Sequence, residues 1–538
     1  MRRHLAVLLA LSAAAHVATA QSKLAPEMAQ STAGATIDVI VQYRDPPALH
    51  HQRVLDRGGR LKTELGVIRA AHYTLPTSEI EALANDPDVE YISPDHVVTS
   101  TSTNLYTGSP DHGWQSVGAD LASNVFGLDG TGVGIALIDS GVDSLTDLRD
   151  AFGRDRVVYR GTFLPNTSVV DGYGHGDHVA GIMAGNGAQS SGSSFTYEVR
   201  GIAPNAHIVS LKALDSQGAG TDSSVIAAIQ QAILLKTKYN IRIINLSVGR
   251  PVTTSYLRDP LCLAVQQAWR AGIVVVVAAG NEGRNNSLGT NGYGTIAAPG
   301  NSPYVITVGA MNTVGTATTV DDKIASYSSK GPSSIDHIVK PDLVAPGNRI
   351  FSLSQGTGWF ARTYAGNQVA AADISHTNSN GPSAYYVMSG TSMAAPMVSG
   401  AAALMLQKEP WLTPDQVKAR LMKTATKFAP GFSTATDPVT GVTYTDDFDV
   451  FTVGAGYLDI PAALANNDLL IGTALSPVAT FDALTETVSI AGASVIWGTN
   501  VSWGTRTRSL NAIWGTMAIW GSGTDVTEAA SLAVNGDK

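Results

Sequence analysis

The sequence predicts an α/β protein: a mostly parallel central sheet with helices on both faces, preceded by a small α+β unit. Two patterns carry this. Between residues 110 and 465, short apolar runs rich in Val, Ile and Leu alternate with longer stretches of helical periodicity. Strands that alternate with helices are joined by crossovers, which leave them parallel and covered on both faces. Ahead of them, residues 37–98 hold strand and helix signals of their own. The chain has 538 residues, 44% hydrophobic and only 15% charged, enough apolar surface for a large core with appendages.

The elements follow in order. The first twenty residues have the pattern of an export signal: Arg2 and Arg3, an apolar run over 5–15, and the small-x-small site Ala18-Thr19-Ala20. The exported chain is then expected to begin at Gln21, and residues 21–36 to form a linker. In the small unit, strands are expected over 37–43 and 89–92, with a helix over 79–84 capped by Thr77 or Ser78. In the large unit, strands are expected over 133–139, 207–214, 241–247, 273–279 and 304–310, with helices over 223–238, 259–271, 392–408 and 414–424. Thr413 and Gln416 have capping-box spacing around Pro414. Residues 353–385 fit no element; a solvated surface excursion is expected, with a loop restricting the cleft as the alternative.

Residues 466–538 change character. Trp497, Trp503, Trp514 and Trp520 recur in Trp-Gly-Thr or Trp-Gly-Ser units. Within each pair the spacing is six, an even number that puts both rings on one face of a strand. They are expected either to anchor a surface, glycan or partner, or to pack as a hairpin on the core.

Composition excludes some functions. A net charge of -9 gives no support for nucleic-acid binding. The single cysteine, Cys262, rules out an intramolecular disulfide and is expected as a buried helix thiol. After the signal, no apolar run is long enough for a membrane-spanning helix.

Four local patterns carry chemistry. Ser392, in Gly390-Thr391-Ser392-Met393-Ala394-Ala395-Pro396, opens a helix of small residues, with Pro396 expected in its first turn. A hydroxyl there is either a nucleophile beside free N–H groups or a helix cap. His175, in Gly174-His175-Gly176-Asp177-His178, is a base that other chain can approach closely, or one of two metal ligands with His178. Asp139 ends a buried strand, where α/β folds place working carboxylates; it is an orienting acid or a turn residue, with Asp143 as rival. Asn281, in Ala278-Ala279-Gly280-Asn281, is an amide donor to an oxyanion, or a turn asparagine.

Together, in the order Asp, His, Ser, these motifs resemble the subtilisin-like serine peptidases over roughly residues 110–465. The resemblance implies the family's three-layer α/β fold and a serine endopeptidase with the triad Asp139, His175 and Ser392. It implies an oxyanion hole of Asn281 and the Ser392 N–H. It also implies that Gly218, Ala219 and Gly220 pair with an extended substrate, and that Ser247, Val248, Gly249 and Ala278, Ala279, Gly280 wall the pocket beside the cleaved bond. Residues 37–101 resemble the family's inhibitory propeptide, which implies a proenzyme that cuts itself near Thr101 or Tyr106. The expected partners are protein or peptide substrates and the chain's own propeptide. The chemistry needs no cofactor. Residues 187–194, mostly Gly, Ser and Gln, differ from the family's calcium loop, so structural calcium stays open with no assignable ligands. A further departure is Asp177, where the family usually has Thr; as an anion it is expected to raise the imidazole pKa. The competing readings are a non-catalytic binding protein on this scaffold and an esterase-like hydrolase, whose Gly-x-Ser-x-Gly elbow does not surround Ser392.

Overall fold

The computed structural model describes residues 22–30, 35–100, 112–377, 381–429, 431–437, 440–469, 471–482, 484, 487–490 and 537. The export signal, Thr101, Tyr106 and the tryptophan repeats lie outside the described residues.

The small unit is an antiparallel sheet of β1 (Thr36–Tyr43), β2 (Arg60–Leu65), β3 (Ala70–Pro76) and β4 (Val89–Pro94), in the order β2-β3-β1-β4. Val39, Val41, Tyr73, Leu83 and Ile92 form part of its own core. Ala25 and Met28, in the stretch expected as linker, enter that core. A further strand, β5 (Val97–Ser100), leaves the unit and joins the large one.

In the large unit, β6 (Gly134–Asp139), β7 (Val157–Thr162) and β8 (His207–Lys212) are followed by the short β9 (Ala219–Thr221). Then come β10 (Ile241–Leu246), the short β11 (Val248–Gly249), β12 (Val274–Ala278), β13 (Ile306–Asn312), β14 (Lys323–Ile324) and β15 (Leu343–Pro346). The central sheet runs β14-β13-β12-β10-β6-β8-β7, with β15 beside β13; every pairing is parallel except β13 with β14. Continuous Val and Ile runs suit strands buried on both faces, and every residue of β6 and β12 is buried. The helices Asp222–Leu235 and Pro260–Arg270 pack on each other beside the sheet, and Thr391–Lys408 lies against β10, β12 and β13. The Pro414–Thr424 helix has its capping box: Thr413 Oγ1 accepts from the Gln416 N–H and Gln416 Oε1 from the Thr413 N–H. Cys262 is buried, with Sγ 3.2 Å from Asn301 Oδ1.

Residues 353–385 are not a solvated excursion. They carry the helix Trp359–Thr363 and end in the strand Pro382–Met388, with Phe360, Val369, Tyr385 and Tyr386 buried. The Trp359 and Phe360 N–H groups donate to the carbonyls of Gly172 and Tyr173, just ahead of His175. Phe360 and Trp359 pack on the Tyr173 ring at 4.5 and 5.5 Å. The sequence hides this because the segment's apolar residues follow no single period. The start of the C-terminal segment also packs on the large unit: the Ser476 hydroxyl donates to Asp342 (2.6 Å), which lies between Lys340 and Lys418.

Phe360→Ala is expected to destabilise the protein by about 3–5 kcal/mol, the cost of truncating a buried aromatic. A surface loop predicts no change in melting temperature.

Candidate active site

β6, β10 and β12 are neighbours, and the chain leaving the same edge from each carries one of the singled-out motifs. β6 ends in Asp139, whose side chain is fully buried. Its Oδ1 accepts from the Ser140 N–H (2.7 Å) and the Ser140 hydroxyl (3.1 Å), and lies 2.7 Å from His175 Nδ1. A proton on Nδ1 held by a carboxylate leaves Nε2 as the basic nitrogen. His175 opens the helix His175–Ala184 behind Gly174, whose φ of +100° favours glycine. The turn is tied by Asp171, which accepts from the N–H groups of Tyr173, Gly174 and Asp177. Ser140 Oγ accepts from the Gly176 N–H (3.0 Å).

β10 leads into Ser247. The Ser392 hydroxyl donates to the Ser247 carbonyl, and the Ser247 hydroxyl donates to the Ser392 carbonyl, both at 3.0 Å. The second bond has a clear origin. Pro396 is the sixth residue of the Thr391–Lys408 helix, not in its first turn as expected. It lacks the N–H that would bond the Ser392 carbonyl one turn back. The Ser247 hydroxyl takes its place. Ser247 Oγ is itself held by Asn245 Nδ2 (3.0 Å), whose Oδ1 accepts from the Ser399 hydroxyl (2.8 Å).

β12 leads through Ala279 and Gly280 to Asn281. Its Oδ1 accepts from the Thr391 N–H (3.0 Å) and the Thr391 hydroxyl (2.9 Å). A backbone N–H can only donate, so the oxygen is on that side and the amide NH2 faces the other way. An imidazole oriented by an acid, a hydroxyl and an amide donor at one edge can perform nucleophilic acyl transfer.

Beside this edge, β5 pairs antiparallel with both β9 and β11. Ala219 and Gly220 stand opposite Thr99 and Val98, and Val248 and Gly249 opposite Ser100 and Thr99. Gly218 falls in the turn before β9, with φ +77°, and Thr221 takes the third place in the register. Ala278, Ala279 and Gly280 are not brought onto β5; the Ala279 and Gly280 backbones bond Val308, Ala297, Ser329 and Thr391 instead.

His178 Nε2 lies 3.1 Å from the carbonyls of Ile350 and Tyr386, so it is a donor and not a metal lone pair. Burial, with His175 beside it, pushes its pKa down to about 3. Among the described residues no group of three or more His, Cys, Asp or Glu is arranged to hold a metal ion. Asp143 donates its N–H to Asp177 (2.8 Å), while Asp139 is the acid on His175 Nδ1. Asp177 corrects an expectation. Its carboxyl is fully buried, and burial together with Asp171 and Asp143 pushes its pKa well above the usual carboxylate range. Burial thus disfavours the anion that the expectation places beside the imidazole. Asp171, Ser140, Thr391 and Lys212, whose Nζ donates to the Ser140 and Val170 carbonyls, escaped sequence reasoning. Only Ser140 and Thr391 adjoin a recognisable motif.

A model of the subtilase family matches residues 130–447. The chain belongs to the subtilase family. It is similar to serine protease AprX of Bacillus subtilis, 38% identical over 308 residues that make up 56% of this chain and 62% of AprX. It is similar to subtilisin E of Bacillus subtilis, 33% identical over 382 residues, 70% of this chain and 81% of subtilisin E. In fold it resembles fervidolysin of Fervidobacterium pennivorans, a keratinolytic enzyme related to subtilisin, with a TM-score of 0.59 at 22% identity, covering 82% of this chain and 62% of that one. The chain thus spans less than two thirds of AprX and fervidolysin but most of subtilisin E. The fold expected from the subtilase motifs is the one observed.

Because the Asp177 pKa is raised on folding, the native state keeps a proton that the unfolded chain releases above about pH 4, and stability falls as pH rises. Asp177→Asn, isosteric with the neutral acid, is therefore expected to raise the melting temperature more at about pH 8 than at about pH 4. The acidic limb of the pH–rate profile stays in place; a shift to lower pH would restore the anion.

Proposed function

We propose that this subtilase is a secreted serine endopeptidase made as a proenzyme. Ser392 Oγ attacks the scissile carbonyl carbon and His175 Nε2 takes its proton, while Asp139 holds the imidazole. The oxyanion is held by the Asn281 amide and the Ser392 N–H. His175 returns the proton to the leaving amine, and water then releases the acyl group from Ser392. The export pattern at residues 1–20 supports secretion, and among the described residues no helix is long and apolar enough to cross a membrane.

The carrying observation is β5. An extended segment of the chain lies in a groove between two edge strands, paired through backbone groups, as a peptide substrate would be. Its side chains alternate: Val98 is buried, while Val97 and Thr99 are exposed. Ser100 stands opposite Val248, and Ser247, one residue back, is bonded to Ser392. The register therefore favours a cut near Thr101 over one at Tyr106. Residues 37–101 act on this reading as the inhibitory propeptide, 110–465 as the peptidase domain and 466–538 as an extension whose tryptophan repeats either anchor a surface, glycan or partner or pack as a hairpin.

The small unit is docked by apolar side chains, with Ile40, Leu65, Ile68 and Ala70 packed into the core of the large unit, and by polar contacts. Asp95 accepts from the Ser223 N–H (2.8 Å) and hydroxyl (2.7 Å), capping the Asp222–Leu235 helix from another unit. His96 bridges Glu27 (2.7 Å) and Asp222 (3.2 Å). Burial opposes its charge, but the hydrogen bonds to Asp222 and Glu27 outweigh it and hold its pKa up at about 9.

Two measurements test this. Wild type hydrolyses casein and is blocked by a serine-directed inhibitor, whereas Ser392→Ala is inactive and keeps its N-terminal segment attached; Asn281→Ala loses about 10²–10³ in kcat. Equal hydrolysis by wild type and Ser392→Ala overturns the mechanism. Second, His96 binds its proton more tightly docked than free, so its contribution is complete below about pH 6.5 and lost as pH rises through about 9. Isolated propeptide should inhibit progressively less across that range, and His96→Gln should flatten the dependence.

A further inference from the structure

The loops that carry Asn281 and Ser392 share a buried neighbour far along the chain. Asp537 is only 1% exposed. Its carboxylate accepts from Arg284 Nη2 (2.8 Å), the Ser326 N–H (2.6 Å) and the Ser326 hydroxyl (2.7 Å). Its backbone makes a two-way pair with the Asn348 side chain: the Asp537 N–H donates to Oδ1 and Nδ2 donates to the Asp537 carbonyl, each at 3.0 Å. Arg284 is buried too, with Nε on Ser326 Oγ (2.7 Å), Nη1 on Asp437 (2.6 Å) and its guanidinium 4.6 Å from the Tyr444 ring. The slot thus recognises a carboxylate and the peptide unit that bears it.

Both walls of the slot lead to the candidate oxyanion hole. Arg284 comes three residues after Asn281, and Gly283 between them donates its N–H to the Tyr327 carbonyl (2.8 Å). Asn348 follows Gly347, whose carbonyl accepts from the Gly390 N–H (2.8 Å) and the Tyr327 hydroxyl (3.0 Å). Arg349 donates its N–H to Ser389 Oγ (2.8 Å). Gly390 is the residue before the Ser392 helix. Asp537 therefore clamps the loop of one oxyanion donor to the loop of the other.

We propose that Asp537 is a positioning residue: its buried carboxylate and backbone tie the Arg284, Ser326 and Asn348 loops together and set the distance between the Asn281 amide and the Ser392 N–H. It touches no reacting atom. The inference rests on the proposed function, because it needs those two groups to bind the oxyanion. Removing Asp537 empties a site for a small carboxylate while leaving the β5 groove untouched, so substrate affinity is preserved and only transition-state stabilisation falls.

The test uses full-length protein. Asp537→Ala, counted by active-site titration, should lose about tenfold or more in kcat with KM within about twofold, the signature of misplaced catalytic groups. Added formate should refill the slot and restore kcat. Asp537→Asn keeps the shape and loses the charge facing Arg284, and should fall between. Unchanged kcat per titrated site in Asp537→Ala overturns the proposal. So does a loss that formate does not reverse, or failure of both variants to fold, either of which makes Asp537 a stability element. Wild type and Ser392→Ala run alongside separate the two claims: absence of Ser392-dependent hydrolysis in wild type sinks the proposed function itself.

Discussion

A carboxylate buried at the end of a sheet must find its donors within the protein, and at Asp139 that demand organises the site. An unpaired charge there would cost several kcal/mol. The donors are the next residue, Ser140, and a histidine on a separate helix. The Ser140 hydroxyl also accepts from the Gly176 N–H, which brings the helix start against the strand end. The approach is so close that a Cβ on Gly176 would sit 2.0 Å from the Gly141 carbonyl oxygen. The glycines around His175 follow from the acid's burial, and so does Asp171, which holds the turn at the required height.

The serine is placed by a different constraint. A proline one turn inside a helix leaves a carbonyl without its donor, and here the carbonyl belongs to Ser392 itself. The Ser247 hydroxyl repairs that loss, and the Ser247 carbonyl receives the Ser392 hydroxyl. Ser247, held through Asn245, is fastened to the middle of the same helix at Ser399. The proline inside the helix thus explains why Ser392 is tied to the end of β10, the strand beside the one that ends in Asp139.

These constraints also explain what was legible in the sequence. The central strands were, because Val274 to Val277 and their counterparts are apolar at every position, a pattern solvent-facing strands cannot show. The Thr413 cap was legible because the box is local. Strands β9 and β11 are two or three residues long and are defined by what pairs with them, so only the family resemblance pointed to them. The upward push on the Asp177 pKa was not legible because it comes from burial beside Asp171 and Asp143, which only the fold brings together. Lys212 reads as the polar end of a strand; only the fold shows its ammonium among the acids of the site. Asp537 carries no local signal, since its partners lie near residues 284, 326 and 348.

The docking of the small unit has a consequence for timing. While it is covalently attached, β5 meets its groove at the high effective concentration of a short tether, and modest contacts suffice to fill it. A cut after β5 removes the tether and changes none of the contacts. What then remains is Ile40, Leu65, Ile68, Ala70 and Val98 packed into the core of the large unit, the backbone pairings of β5, and polar contacts of Asp95 and His96 to the N-terminus of the Asp222–Leu235 helix. On the proposed function, such a set would keep a cleaved propeptide docked after the tether is gone. On that reading β5 occupies the groove as a substrate would, so a displaced propeptide would itself be an extended peptide with access to Ser392. Release and destruction of the inhibitor would then be successive visits to the same groove.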